Sequence, residues 1–117
     1  MIYLIDDYIP VRRGFSLFLK SASFDVICFN QAEDFLSVFK PESNDLLILD
    51  MHLPGMSGMD LLKKMTLGGI HIPVIVVTAF DDQQSRELCR SYGVKAFLRK
   101  PVDGEALIDT IKYNLQL

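Results

Sequence analysis

The residues of this sequence that are best suited to chemistry stand where apolar runs end. An acidic pair, Asp6 and Asp7, follows the first run, Asp50 follows a second, Thr78 a third, and Lys100 comes shortly after a fourth. Carboxylates bind protons or hard metal cations, while an ammonium group neutralises an oxyanion such as phosphate and a hydroxyl group donates a hydrogen bond to it. If the fold brings these five side chains together, they form a site for a cation and a phosphate group.

Each of the four apolar runs is typical of a buried strand. Continuous runs rich in Val, Ile and Leu suit parallel strands that are covered on both faces. The polar side chains then lie beyond the carboxyl ends of the strands, where open parallel sheets bind their ligands. The four runs are residues 2–5, 46–49, 74–77 and 96–98.

Helical periodicity between these runs predicts five strands alternating with five helices. A further strand is expected at residues 24–29, and helices at residues 11–22, from 30, from 57, at 82–92 and from about 103. Asn30 is the expected N-cap of the second helix, with Glu33 at the capping-box position, and Ser57 followed by Asp60 opens the third helix. This alternation predicts right-handed βαβ crossovers. The expected fold is therefore α/β, a doubly wound five-stranded parallel sheet with helices on both faces.

Length and composition bound the class of protein. The 117 residues, half of them apolar and 23% charged, are expected to form a single soluble globular domain, residues 1–117. The net charge of −3, without a basic stripe, argues against nucleic-acid binding. The apolar runs are too short for a membrane span, and no signal peptide is expected. Cys28 and Cys89 lack metal-ligand spacing, which favours reduced thiols in a cytoplasmic protein.

The three acids repel one another if they converge. Two carboxylates about 4 Å apart repel by roughly 4 kcal/mol at an effective dielectric constant of 20. The cluster therefore either retains a proton or holds a cation, and oxygen ligands with room for water suit Mg²⁺. The alternative is that Asp6 and Asp7 only form a turn and a helix N-cap, where Asp is favoured. Convergence with Lys100 and Thr78 makes this alternative the weaker one.

Four segments resemble the receiver domain of bacterial response regulators, in order and at that family's spacing. They are the acidic pair in residues 4–7, the segment 49–58 around Asp50, Thr78 with Ala79, and residues 97–101. The resemblance covers essentially the whole chain and implies a flavodoxin-like strand order, 2-1-3-4-5. This order comes from the resemblance, because the apolar pattern alone does not determine it.

The resemblance implies a signalling phosphoacceptor, part of a two-component system, that catalyses only its own phosphorylation and dephosphorylation. Asp50 would accept a phosphoryl group from a phosphohistidine of a sensor histidine kinase or phosphotransfer protein, and Thr78 and Lys100 would contact the phosphoryl oxygens. The cofactor would be Mg²⁺. Its ligands would be Asp7 and Asp50, Asp6 mainly through water, and the backbone carbonyl of His52. The Lys100–Pro101 peptide bond would be cis.

The resemblance also implies a way for the signal to leave the site. Thr78 and Phe97 would form a switch in which the phosphoryl group attracts the Thr78 hydroxyl and Phe97 moves inward from an exposed position. The alternative is that Phe97 is a fixed core residue. The fourth helix, fifth strand and fifth helix would contact a downstream output domain or protein, or form a homodimer. Similar receivers either precede a helix-turn-helix output domain or stand alone, and both remain open.

Other functions fit the sequence less well. A metal-dependent phosphatase with an aspartyl-phosphate intermediate generally carries a second Asp two residues after the nucleophile, where this chain has His52. A receiver that no longer takes phosphate would lack site residues, and all of them are present. The segment 55–58 lacks the Lys and the spacing of a phosphate-binding P-loop. A zinc site is disfavoured because His52 and His71 have no third ligand nearby in sequence.

Overall fold

The protein, described by a computed structural model for residues 1–40, 42 and 44–116, alternates strands with helices throughout. The strands are β1 (Ile2–Ile5), β2 (Val26–Phe29), β3 (Leu46–Asp50), β4 (Val74–Thr78) and β5 (Ala96–Arg99). The helices are α1 (Ile9–Ser21), α2 (Ala32–Val38), α3 (Gly58–Leu67), α4 (Gln83–Ser91) and α5 (Gly104–Leu115).

The five strands form one parallel sheet in the order β2-β1-β3-β4-β5. Both the predicted fold class and the strand order implied by the family resemblance are confirmed. Every residue of β1, β3 and β4 is buried, as the continuous apolar runs predict for central parallel strands. The edge strands β2 and β5 are only partly buried.

Two apolar cores cover the two faces of the sheet. On one face α2, α3 and α4 pack on the odd-numbered side chains of β1 and β3, with Phe35, Leu61 and Cys89 as buried contacts. On the other face α1 and α5 pack on the even-numbered side chains, through Leu19, Leu107 and Ile111. Within the described residues, no helix is both long and apolar enough to cross a lipid bilayer.

The start of α2 differs from the prediction. Gln31, not Asn30, is the N-cap, and no side chain bonds the free N–H groups there. The capping box predicted for Glu33 is therefore wrong. Its carboxylate instead accepts a hydrogen bond from the backbone N–H of Met56 in the loop before α3, at 3.4 Å. A contact with a loop 23 residues away has replaced the local one, which no local capping pattern reveals.

Helix boundaries elsewhere shift by one or two residues. The first helix begins at Ile9 rather than residue 11, with Pro10 in its first turn, where the fixed φ angle of proline suits a helix start. The start of α3 is as expected: Ser57 is the N-cap, and the Ser57 and Asp60 side chains form a reciprocal capping box. This capping box fixes the direction in which α3 leaves the end of β3.

Gly58 allows α3 to begin directly against the end of β3. A Cβ atom at this position would lie 2.8 Å from the Cα of Met51 and 2.9 Å from the carbonyl oxygen of Asp50. Both are backbone atoms, which cannot rotate away. Gly14, in the middle of α1, has no atom within 4 Å of the equivalent Cβ position. Close packing therefore requires glycine at position 58, whereas it leaves room for a larger residue at position 14.

We expect Gly58→Ala to destabilise the protein by about 1–3 kcal/mol, because the added methyl group overpacks a rigid backbone contact. The matched control Gly14→Ala should instead stabilise it by about 0.5–1 kcal/mol, since alanine favours a helix interior over glycine. Urea unfolding of both variants measures the difference. Equal stabilities for Gly58→Ala and the parent protein would contradict the proposed close contact.

Candidate functional site

The predicted site residues meet at the carboxyl edge of the sheet. Parallel register pairs Ile5 with Leu49 and Asp50 with Val77, so the ends of β1, β3 and β4 are neighbours. Asp6 and Asp7 directly follow β1, and Asp50 and Thr78 are the last residues of β3 and β4. The backbone N–H of Lys100 donates to the carbonyl oxygen of Thr78 at 2.7 Å, which ties the end of β5 to the same edge.

Three carboxylates form the centre of the site. Asp6, Asp7 and Asp50 each offer an oxygen, and these oxygens all lie within 4.8 Å of one another. Asp6 and Asp50 are buried, with 2% and 7% of their surface exposed, while Asp7 is open to solvent. Two charged groups thus lie in a poorly solvated position, and the third lies at its entrance.

The Lys100 ammonium group partly neutralises this cluster. Its Nζ atom donates to Oδ2 of Asp6 at 2.7 Å and lies 3.6 Å from Oδ2 of Asp50. The pairing is therefore uneven: Asp6 has the short charge-assisted hydrogen bond, and Asp50 has only a longer ion pair. Lys100 pairs with two of the three carboxylates, and the Arg12 guanidinium group reaches the backbone carbonyl of Asp6 rather than a carboxylate, so the cluster keeps an excess of negative charge.

Asp6 also forms hydrogen bonds in the turn between β1 and α1. These bonds test the alternative that Asp6 and Asp7 only form a turn and a helix N-cap. Its second oxygen accepts the backbone N–H of Tyr8 at 3.0 Å, and its carbonyl oxygen accepts Nη1 of Arg12 at 2.8 Å. The N-cap of α1 is Tyr8, and no side chain caps it. Asp6 is thus part of a turn as well as of the cluster, while Asp7 is not the helix cap.

Burial raises the pKa of Asp50 above its ordinary value of 3.8. The Lys100 ammonium group and the backbone N–H of His52, which donates to Oδ1 at 3.3 Å, act in the opposite direction. The negative charges of Asp6 and Asp7 raise the pKa further. The net upward shift means that the charged form of Asp50 is not fully compensated by its surroundings.

Thr78 is fully buried beside this cluster, at 0% exposure. Its Oγ1 atom accepts a hydrogen bond from the backbone N–H of Phe80 at 3.1 Å. The hydroxyl group is thereby tied to the loop that joins β4 and α4. Any reorientation of the Thr78 side chain must break this bond or move the backbone at Phe80.

Phe97 lies away from the carboxylates, in the middle of β5. It pairs in register with Val76 and is partly buried against the core formed with α2, α3 and α4. The ring is therefore half-buried in this state and not exposed as the switch hypothesis expects. The guanidinium carbon of Arg86 lies 5.4 Å from the ring centroid, on its face. The Lys100–Pro101 peptide bond is cis, which confirms that expectation.

Two further contacts near the site do not follow from any local sequence pattern. The imidazole of His52 and the exposed ring of Phe80 meet edge to face, with centroids 4.6 Å apart. Arg86 forms a bidentate ion pair with Asp81 in the β4–α4 loop. Loop residues with such spacings form no periodic pattern, so only the fold reveals either contact. The sole sequence signal is the acidic pair Asp81 and Asp82 shortly before a basic helix residue.

The donor set of the cluster fits Mg²⁺. Carboxylate oxygens are the hard ligands that this ion prefers, and it is usually held by one or two of them with several waters. The exposed position of Asp7 leaves room for such waters, and burial, together with the neighbouring acids, raises the pKa of Asp50 despite Lys100. A divalent cation held by this cluster would stabilise the charged form of Asp50.

Comparison with known proteins agrees with this geometry. The sequence model of the response regulator receiver domain matches residues 2–112. The chain is 36% identical over 110 residues to the sensory/regulatory protein RpfC of Xanthomonas campestris pv. campestris, covering 91% of this chain and 15% of that protein. It is 32% identical over 114 residues to the transcriptional regulatory protein FixJ of Azorhizobium caulinodans, covering 97% and 54%.

Solved structures give the same result. The response regulator StyR superposes with a TM-score of 0.91 at 37% identity, over 98% of this chain and 58% of that one. The FixJ-N crystal structure superposes with a TM-score of 0.88 at 30% identity, over 98% and 92%. The chain thus spans about half the length of FixJ and a small part of RpfC.

The raised pKa of Asp50 predicts a pH-dependent effect of Asp50→Asn in metal-free buffer. The folded state binds this proton more tightly than the unfolded state, so its contribution to stability is full below pH 3.8 and is lost as pH rises through the folded-state pKa. At pH 7 the variant should therefore unfold at higher urea concentration than the parent, and this advantage should shrink in acid.

Asp82→Asn is the matched control for this measurement. Two hydrogen bonds from Ser85 lower the pKa of Asp82, so its charge stabilises the fold above pH 3.8, and Asn keeps a capping oxygen. This control should be less stable than the parent at pH 7, and the deficit should disappear in acid. An Asp50→Asn variant that is less stable than the parent at pH 7 would contradict the electrostatic description of the site.

Proposed function

Since this chain belongs to the response regulator receiver domain family, we propose that Asp50 is its phosphoacceptor. Receiver domains serve two-component signalling, in which they interact with kinases and output domains. The observation that carries the proposal is the buried Asp50 carboxylate at the end of β3, in an acidic cluster with the Lys100 ammonium group 3.6 Å away. A nucleophile, a cation site and a positive side chain for phosphate thereby adjoin one another.

The proposed reaction transfers a phosphoryl group from a histidine nitrogen to the Asp50 carboxylate. An oxygen of the Asp50 carboxylate attacks phosphorus and forms an O–P bond, while the N–P bond to the phosphohistidine breaks and its electron pair returns to the imidazole. Hydrolysis later restores the carboxylate, as water attacks phosphorus and inorganic phosphate leaves. The domain therefore catalyses only its own phosphorylation and dephosphorylation, and it is a signalling phosphoacceptor rather than an enzyme with a separate substrate.

Mg²⁺ is the proposed cofactor. Asp7 and Asp50 would hold it directly, Asp6 mainly through water, and the backbone carbonyl of His52 would complete the protein ligands. When bound, the ion supplies positive charge for the equatorial oxygens of the phosphoryl group. The three clustered carboxylate oxygens and their excess negative charge support this assignment.

Lys100 and Thr78 are proposed to recognise the phosphoryl group. Lysine is a mobile point charge that suits phosphate, and the Lys100 ammonium group need move only a short distance from its ion pairs with Asp6 and Asp50. The Thr78 hydroxyl is already at the carboxyl edge of the sheet, and rotation of the side chain can bring it to donate to a phosphoryl oxygen. Lys100 would then neutralise negative charge on the phosphoryl group, and Thr78 would donate a hydrogen bond to it.

The proposed output is a change at Thr78 and Phe97. As the Thr78 hydroxyl turns to the phosphoryl group, Phe97 moves further into the space behind it. Full burial of a phenylalanine contributes about 1.5–3 kcal/mol relative to full exposure. Because the ring is already half-buried, only part of this amount is gained, so the two states are closely balanced.

The proposed setting is a cytoplasmic two-component pathway, in which residues 1–117 form a single receiver domain. A sensor histidine kinase or phosphotransfer protein would donate the phosphoryl group. The face formed by α4, β5 and α5 would contact an output domain or protein, or a second copy of the chain. The domain itself would bind neither nucleic acid nor membrane.

Acetyl phosphate with Mg²⁺ should add one phosphoryl group to the protein, as seen by intact-protein mass spectrometry. Asp50→Asn should abolish the adduct, because an amide does not form an acyl phosphate, and EDTA should suppress it by removing the cation. The control Asp25→Asn, which changes an exposed acid outside the site, should react like the parent. An undiminished adduct on Asp50→Asn would exclude Asp50 as the phosphoacceptor, and sustained turnover of varied phosphate esters would favour a phosphatase.

A further inference from the structure

Arg86 joins two segments that are separate in sequence. Its Nε and Nη2 atoms donate to Oδ1 and Oδ2 of Asp81, each at 2.7 Å. Its guanidinium carbon also lies 5.4 Å from the centroid of the Phe97 ring, within the range of a cation–π contact. One side chain of α4 therefore contacts both the loop that follows β4 and the aromatic residue of β5.

The geometry of these contacts restricts the guanidinium group strongly. Both hydrogen bonds to Asp81 are short and parallel, the arrangement in which arginine and carboxylate are most complementary. The Arg86 side chain is 44% exposed and the Asp81 side chain 21% exposed, so solvent weakens their attraction and the pair adds little to global stability. Its effect lies in orientation, because it fixes the plane of the guanidinium group against the Phe97 ring.

The loop end of this contact reaches the functional site through the backbone. Thr78 Oγ1 accepts the backbone N–H of Phe80, and Asp81 is the next residue. Rotation of the Thr78 side chain that moves Oγ1 towards a phosphoryl group breaks this bond or carries Phe80 along, and either change frees or moves the backbone next to Asp81. The Thr78–Phe80 hydrogen bond, the Asp81–Arg86 ion pair and the contact of Arg86 with the Phe97 ring therefore form a continuous path from Thr78 to Phe97.

We propose that Arg86 is a positioning residue that couples the β4–α4 loop to Phe97 and favours the arrangement seen here. While Arg86 holds Asp81 and covers the Phe97 ring, neither the loop nor the ring moves without breaking a contact. The arginine thereby opposes the change that follows phosphorylation and lowers the affinity for a phosphoryl group. The inference rests on the proposed function, because it takes occupation of Asp50 as the event that displaces Thr78.

Loss of the Arg86 contacts with Asp81 and Phe97 should raise the affinity of the site for a phosphoryl mimic. We expect Arg86→Gln to bind beryllofluoride with Mg²⁺ about two- to tenfold more tightly, in line with the modest strength of an exposed ion pair with a cation–π contact. Asp81→Asn should act in the same direction, and the double variant should gain no more than the stronger single one, since both remove one interaction. Titration followed by ¹⁹F NMR measures the affinity. Unchanged or weaker binding by Arg86→Gln would overturn the proposal.

Arg90→Gln is the matched control. Arg90 lies one turn further along α4, carries the same charge, and makes no ion pair within the part of the chain that the structure describes. This variant should bind beryllofluoride as the parent does. An equal gain for Arg90→Gln would show that only net charge matters and would overturn the role of Arg86.

A second readout needs no phosphodonor and separates failure of this inference from failure of the proposed function. In the free protein, Asp81→Asn should shift the aromatic NMR signals of Phe97, because Asp81 acts on the ring through Arg86. The shift should vanish when Asp81→Asn is made in an Arg86→Gln background. If the parent protein binds no beryllofluoride, the phosphoacceptor assignment is wrong, but this coupling is still measured. If Asp81→Asn leaves the Phe97 signals unchanged, the coupling itself is wrong.

Discussion

The crowding of three carboxylates at one edge of the sheet is the constraint on which the rest of the site depends. Asp6 and Asp50 are buried, and the Lys100 ammonium group bonds closely to only one of them. Burial and the neighbouring acids raise the pKa of Asp50, so its charge opposes folding at neutral pH. The proposed Mg²⁺ would offset this imbalance, so its binding would stabilise the domain as well as prepare the proposed phosphoacceptor.

The parallel sheet makes this unfavourable arrangement possible. Apolar strands buried on both faces hold the backbone rigidly, and their carboxyl ends deliver Asp50 and Thr78 to fixed positions. Helix α3 begins directly against the end of β3 because Gly58 permits the close approach. The hydrogen bond between Thr78 Oγ1 and the Phe80 backbone then connects the sheet to the β4–α4 loop, whose Asp81 pairs with Arg86 of α4, and Arg86 in turn contacts Phe97 of β5. The buried sheet thus holds poorly compensated charges together at its edge.

Much of this arrangement follows from sequence, since continuous apolar runs define the strands and the polar residues at their ends must converge in a parallel sheet. The strand order required the family resemblance, because apolar pattern alone does not distinguish the possible windings. Contacts that depend on loop paths were not predictable: Glu33 bonds Met56 instead of capping its own helix, and Arg86 reaches Phe97 across α4 and β5. Capping motifs succeed where the partner is local, as at Ser57, and fail where a distant backbone group competes for the same side chain.

The most direct test of the electrostatic account is the pKa of the Asp50 carboxyl group itself, measured by ¹³C NMR titration without and with saturating Mg²⁺. We predict a pKa above the ordinary 3.8 in the metal-free protein, and a lower one after Mg²⁺ is added, because the cation stabilises the charged form. A metal-free value at or below 3.8, or one that Mg²⁺ leaves unchanged, would contradict the claim that uncompensated negative charge at Asp50 defines this site.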